Sequence, residues 1–412
     1  MYDLLFETTG STAIYLVLLT IGASVLVGAG RVWWRVLAFN FVPAIAAAFF
    51  LGALLSDVPA SRLDLAGGFI FEFVVLCIYC RLLADVFRDL HRIAIGQLSH
   101  LMRTTLILQS AFMLPLLLAD GFGIFSEGSR IDYLSTSFGA TYITYAAISV
   151  ASVQAGLVGR RVTLTGKIGL NGALVLALNL LFSVLSGSKG AIFLWLLSVI
   201  GLIKYREARV SKPTVAIVLL VAAASVGLTA HLVSNFLGIE AGEFFELAFG
   251  RVLLTNDARA LAIDLRSTHS DYGLLVNESL RSLSSLFGSP PANEPLGMRL
   301  YADSFGSTGI TGANTSLMAL VMFYGPSGSP FVLALLAAIS AFAMFLGVRA
   351  ARQTVGSPGE RYVVQSMGLI SVSVFSQDFL AFQVVVPLAV LTLVALLVRQ
   401  TLLGRKRAVT CS

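Results

Sequence analysis

Apolar residues run along this chain in long blocks separated by short polar and charged clusters. A helix that crosses a bilayer needs about 20 mostly apolar residues. Blocks of that kind lie near 11–29, 36–55, 66–84, 104–120, 138–158, 168–186, 189–203, 213–236, 330–348, 361–376 and 379–398, and the blocks at 189–203 and 361–376 are short. The predicted fold class is all-α: a polytopic integral membrane protein of about 11 transmembrane helices with one large external loop that itself contains helices. Residues 1–236 would hold eight helices and 237–312 the loop. Residues 313–412 would hold an interfacial or re-entrant helix and three more spans.

Composition removes the soluble alternative. Charged residues are 12% of the 412 and hydrophobic residues 57%, against roughly 25% charged in globular domains. The surplus of 28 basic over 22 acidic residues (+6) reports orientation before it reports partners, and nucleic-acid binding is not expected. With an external N-terminus and alternating loops, 20 of the 28 basic residues fall inside and 17 of the 22 acids outside. The positive-inside rule therefore predicts an external N-terminus and an internal C-terminus. Asp3 and Glu7, rather than a basic region, precede the first apolar block, so no cleavable signal is expected. Cys77 and Cys80 have CxxC spacing but sit inside a span, where they are expected as buried small residues.

The external loop, 237–312, is too long for a plain connection. Its apolar stretches EFFELAFGRVLLTNDARALAIDL and YGLLVNESLRSLSSLFG predict folded helices, and its later half is rich in turn residues. After it, 314–324 is apolar but too short to cross, which predicts an interfacial or re-entrant helix ahead of the Gly325-Pro326 break. No internal repeat is visible, which disfavours transporters built from duplicated halves.

Candidate chemistry gathers on the external side. In Ser186-Gly187-Ser188-Lys189-Gly190 the chain must reverse between two spans. The glycines permit the turn, the next helix points its free N–H groups into it, and Lys189 adds a full charge. That is an anion site at headgroup depth, or a short turn whose lysine snorkels to water. In the long loop a helix over 243–266 puts Arg251 at 0°, Arg259 near ~80° and Arg266 near ~60°, with Glu246, Asp257 and Asp264 opposite. Such a cationic stripe could meet a lipid diphosphate, because guanidinium grips phosphate oxygens in two-pronged fashion; the plain alternative is a solvated charged helix. Arg281 is expected to be ordinary surface charge, and Arg130 is a further external candidate. Glu243, Asp257, Asp271, Asp303 and His269 could each act as acid or base, and spacing alone does not choose among them. His231 is expected as a packed polar residue, and Glu72, inside a span, is a suspect because an unpaired carboxylate there is expensive. No Walker A loop, dinucleotide turn, HExxH or metal-ligand cluster is present, so neither metal nor cofactor is expected.

The span ending in LSGSKG and continuing as AIFLWLLSVIGLIKYRE resembles the SGSRG-type element of Wzy-type oligosaccharide repeat-unit polymerases, which build O-antigen and capsule. The external loop and its exit, GANTSLMALVMFYGPSGSPFVL, resemble theirs, and the likeness covers about 104–348. O-antigen ligases share the plan, but their loop commonly ends in a His-Asn pair, and Ala313-Asn314 stands there in this chain. The resemblance implies a bacterial inner-membrane glycosyltransferase working on the periplasmic side. It would move a growing glycan from undecaprenyl diphosphate to the non-reducing end of a lipid-linked unit, with the bilayer and a chain-length regulator as further partners. Arg130, Lys189, Arg251 and Arg259 would bind the leaving diphosphate, Ser188, Arg266 and Asn314 would line the substrate, and Glu243 or Asp257 would be the base. The rival readings are an O-antigen ligase, a lipid-linked oligosaccharide flippase, and a docking subunit of an envelope complex.

Overall fold

The computed structural model describes residues 9–39, 42–56, 60–118, 140–185, 272–281, 316–326, 328–377 and 379–410, with single positions at 213, 216, 220, 223, 227, 259, 262, 263, 296, 297, 299 and 300. Among the described residues the chain is all-helical, with no strand. The helices are α1 (Thr9–Leu26), α2 (Trp33–Phe39), α3 (Val42–Leu55), α4 (Arg62–His91), α5 (Ile95–Leu118), α6 (Ala140–Thr165) and α7 (Gly169–Leu185). They continue as α8 (Tyr272–Ser279), α9 (Leu317–Tyr324), α10 (Ser329–Thr354), α11 (Pro358–Gln377) and α12 (Phe379–Thr410), and Gly30–Val32 forms one 3₁₀ turn before α2.

Of the single span expected over 36–55 the described parts are helical, Trp33–Phe39 and Val42–Leu55, and residues 40–41 between them lie outside the described residues. Elsewhere helices run past their apolar blocks. α4 continues through RLLADVFRDLH because Asp85 pairs with Arg88 and with Arg81 across one helical turn. α11 reaches 20 residues, so the block at 361–376 is not short once its polar first turn is counted. The expected block at 189–203 lies outside the described residues, and of 213–236 only five positions are described, all helical.

α4 is the axis of the bundle. Phe71, Val75, Ile78 and Leu82 face one core cluster, and Leu76, Cys80, Leu83, Phe87 and Leu90 face another, so the helix is buried on both sides. Against it α10 runs parallel, pinned at one end by Gly67 beside Phe331 and Ala334 and at the other by Asp89 to Arg352. α11 runs back antiparallel: Gly368 lies against Val348 of α10, and Phe375 meets Phe71 edge-on at 5.6 Å. α3 is also antiparallel to α4, with Phe50 over Gly68 in the first half of α4.

The α10 surface inverts the pattern of a soluble helix. Its buried face is mostly small, with Ala334 beside Gly67 of α4 and then Ala337, Ala338 and Ala341 before Phe345, while Val332, Leu335, Leu336, Ile339, Phe342 and Leu346 are exposed. Small residues at the contact and large apolar ones outside is how helices pack when the surrounding solvent is itself apolar. By length and composition α10 is the one described helix that could cross a membrane; Ala13–Leu26, Val42–Leu55, Gly169–Asn179 and Phe382–Val398 are shorter apolar stretches.

α9 matches the short helix expected over 314–324. Ser316 caps it, its Oγ accepting from the Ala319 N–H at 3.1 Å, and the chain leaves it at Gly325. Gly328, at φ 86°, makes the left-handed turn that lets Pro330 begin α10. Met318 to Tyr324 are all buried, so this helix is a plug between elements rather than one lying on a surface.

Candidate functional site

The described parts of the 237–312 segment are helical apart from a turn at Leu280, and they are seated on the bundle. Ala262, Ile263, Leu275, Leu296 and Leu300 join the same core cluster as Leu65 and Phe71 of α4, Met318 to Leu320 of α9 and Phe375 of α11. Polar contacts reinforce the seat. Arg299 Nη1 donates to the Tyr324 hydroxyl at 2.8 Å, and Gln383 of α12 donates to the Ser279 carbonyl. Arg281, expected as ordinary surface charge, makes a two-pronged pair with Glu278 at 3.0 and 2.6 Å.

At the centre of this seat lies Arg259, 1% exposed, beside Glu72, 0% exposed. Arg259 Nη2 donates to Glu72 Oε1 at 2.7 Å and to the Ser376 carbonyl at 2.5 Å, and it lies 3.4 Å from Ser376 Oγ. Ser376 Oγ donates in turn to Glu72 Oε2 at 2.5 Å, so both carboxylate oxygens are met. The local reasons are legible one by one. The Ser376 carbonyl lies in the last described turn of α11 and accepts from Arg259, which arrives from another part of the chain. Glu72 sits between Phe71 and Val75 on the face of α4 turned toward α11, where a lone carboxylate would be costly. The three groups together tie α4 and α11 to the segment that carries Arg259.

Of the residues singled out in the sequence, Arg259 is the one described site residue. On the sequence it belonged to an open cationic stripe; in the structure it is turned inward and engaged with Glu72. Arg130, Ser188, Lys189, Glu243, Arg251, Asp257, Arg266 and Asn314 lie outside the described residues, as do His231, His269, Asp271 and Asp303. Glu72, flagged as a carboxylate inside an apolar block, has the partner such a group requires. Ser376 was missed; its only signal is a run of serines, SVSVFS, inside an apolar stretch. Cys77 and Cys80 are free thiols, and Ser24 Oγ lies 3.5 Å from Cys80 Sγ.

The opposite end of α4 carries a different arrangement. Arg352 of α10 forks onto Asp89 at 2.7 and 2.9 Å. Asp85 holds Arg88, Arg160 Nη2 donates to the His91 carbonyl at 2.5 Å, and Arg35 lies 4.0 Å over the Phe87 ring. Every one of these arginines belongs to the set expected on the internal side.

A third polar group sits inside the layer made by α5, α6 and α7. Gln109 Nε2 donates to Asn179 Oδ1 at 3.3 Å, and Asn179 Nδ2 donates to Gln154 Oε1 at 2.7 Å and to the Val175 carbonyl at 2.9 Å. Comparison of the chain with protein-family models, with curated proteins and with solved structures returns no match.

Proposed function

We propose that this chain is a multi-pass glycosyltransferase of the bacterial inner membrane that polymerises undecaprenyl-diphosphate-linked oligosaccharide units on the periplasmic side, its N-terminus outside and its C-terminus inside. The likeness to Wzy-type polymerases supports the reaction class. The apolar exposed face of α10 and the basic residues gathered at one end of α4 support the membrane setting. The observation that carries the reading is the buried Arg259–Glu72–Ser376 cluster, because it fixes an arginine of the 237–312 segment onto α4 and α11.

In this reading Arg259 seats the segment, and Arg251, Arg130 and Lys189 meet the diphosphate, with Ser188, Arg266 and Asn314 along the glycan. An acceptor hydroxyl attacks the anomeric carbon of the growing chain and the bond to the diphosphate oxygen breaks. That oxygen keeps the electron pair, and Glu243 or Asp257 takes the hydroxyl proton. Cations fixed where charge develops on the leaving group supply the main catalytic term in such a site. A chain-length regulator is a fitting partner, and no metal or nucleotide sugar enters the scheme.

The second reading, a flippase for the same lipid-linked unit, is favoured by the Gln109–Asn179–Gln154 chain within the helices, since transporters carry polar groups at depth. Deleting the gene and resolving the surface glycan separates the readings. A polymerase deletion leaves lipid A capped with a single repeat unit. Uncapped lipid A with units accumulating outside makes the chain a ligase, units stranded inside make it a flippase, and either result overturns the proposal.

A further inference from the structure

The three amides of α5, α6 and α7 occupy one layer with apolar layers on both sides. Toward one end lie Met113, Ala147 and Phe182, packed together; toward the other lie Met102, Val158 and Val175. Gln109 and Gln154 are 0% exposed and Asn179 is 4% exposed. Polar side chains that only bind helices to one another in an apolar solvent finish by satisfying each other. This chain does not finish: Gln109 Oε1 and Gln154 Nε2 meet no partner among the described residues. One free acceptor and one free donor are what a hydroxyl group can answer, since it both donates and accepts. Nearby, α11 lies on α6 through the Tyr362 hydroxyl, which donates to the Val153 carbonyl at 2.7 Å. One turn along α11, Gln365 is also fully buried, with neither end of its amide partnered among the described residues.

We infer that the Gln109–Asn179–Gln154 layer is an internal polar site for hydroxyl groups, filled by water or by a saccharide hydroxyl, and separate from the Arg259–Glu72 cluster. Amide pairs suit this ligand because each presents a donor and an acceptor in one plane and carries no charge to desolvate. The inference does not depend on the polymerase reading.

Its test is thiol accessibility in the full chain, purified into lipid nanodiscs, with Cys77, Cys80 and Cys411 replaced by alanine. Gln154→Cys places a thiol in the layer, and Thr105→Cys places one a single turn from Gln109 on α5 while leaving all three amides intact. Ala147→Cys, in the neighbouring apolar layer, is the dry reference. Methanethiosulfonate ethylammonium reacts with thiolate, and apolar burial suppresses the thiolate, so a hydrated layer should label about tenfold faster than the reference. Thr105→Cys decides alone if Gln154→Cys fails to fold. Labelling of the layer as slow as that of Ala147→Cys overturns the inference. Adding a short soluble oligosaccharide then identifies the source of the hydroxyl: slowed labelling marks a saccharide site, and unchanged fast labelling marks water.

Discussion

α4 is clamped by an arginine–carboxylate pair near each end, and the two pairs differ in what surrounds them. In its first half Glu72 and Arg259 are both sealed, at 0% and 1% exposed, and Ser376 completes the carboxylate. At its C-terminal end Asp89 is equally sealed, but the Arg352 side chain keeps 19% of its surface open. Both pairs join residues far apart in sequence, 187 and 263 positions. Removing a charge from water costs several kcal/mol even in a relaxed protein, roughly, and a fully enclosed pair bears that twice. The Asp89–Arg352 pair is therefore the cheaper clamp between α4 and α10. The Glu72–Arg259 pair holds a residue of the 237–312 segment against the bundle, at a cost a clamp alone does not require.

The largest effect expected from breaking this contrast is at Arg259. Arg259→Ala leaves Glu72 enclosed without its cation and should lower unfolding stability by about 3–5 kcal/mol, read from denaturant unfolding of the purified protein. Glu72→Leu combined with Arg259→Met removes both charges at similar volume, and should restore most of that loss. A double variant as unstable as Arg259→Ala would show that the cost is lost packing rather than an orphaned charge. At the other end Arg352→Ala should cost about 1.5–3 kcal/mol, the range for hydrogen bonds to a charged partner, because water can reach the site and partly replace the guanidinium. Equal losses at the two ends would erase the distinction drawn from exposure.

How far the sequence led can be judged at these same residues. Glu72 was conspicuous because it is the one carboxylate inside an apolar block, and the cost of burial alone demanded a partner. Arg259 was conspicuous as one of several external arginines. Nothing in one dimension pairs two residues 187 positions apart, and angles along an assumed helix over 243–266 say nothing of what Arg259 meets. The run-on of α4 was hidden because Arg81, Asp85, Arg88 and Asp89 dilute an apolar window, although pairing within the helix and to Arg352 lets them continue it. The all-helical class and the existence of the short helix were readable because each rests on local pattern, block length in one case and an apolar run too short to cross with a Gly-Pro exit in the other; its burial between other elements was not.

The smallest effect lies one turn from Asp89, at Arg88, and it sharpens the comparison from the exposed side. Arg88 holds Asp85 through one nitrogen, but 42% of its side chain is open, and Arg81 approaches the same carboxylate at 3.8 Å. An exposed partner that is screened by solvent and backed by a second arginine should contribute little, so Arg88→Ala should shift stability by no more than about 0.5 kcal/mol. Removing both Arg81 and Arg88 should exceed the sum of the single losses, because Asp85 is buried and each arginine covers for the other. Strict additivity in that cycle would mean that the two arginines act on Asp85 independently and that neither covers for the other.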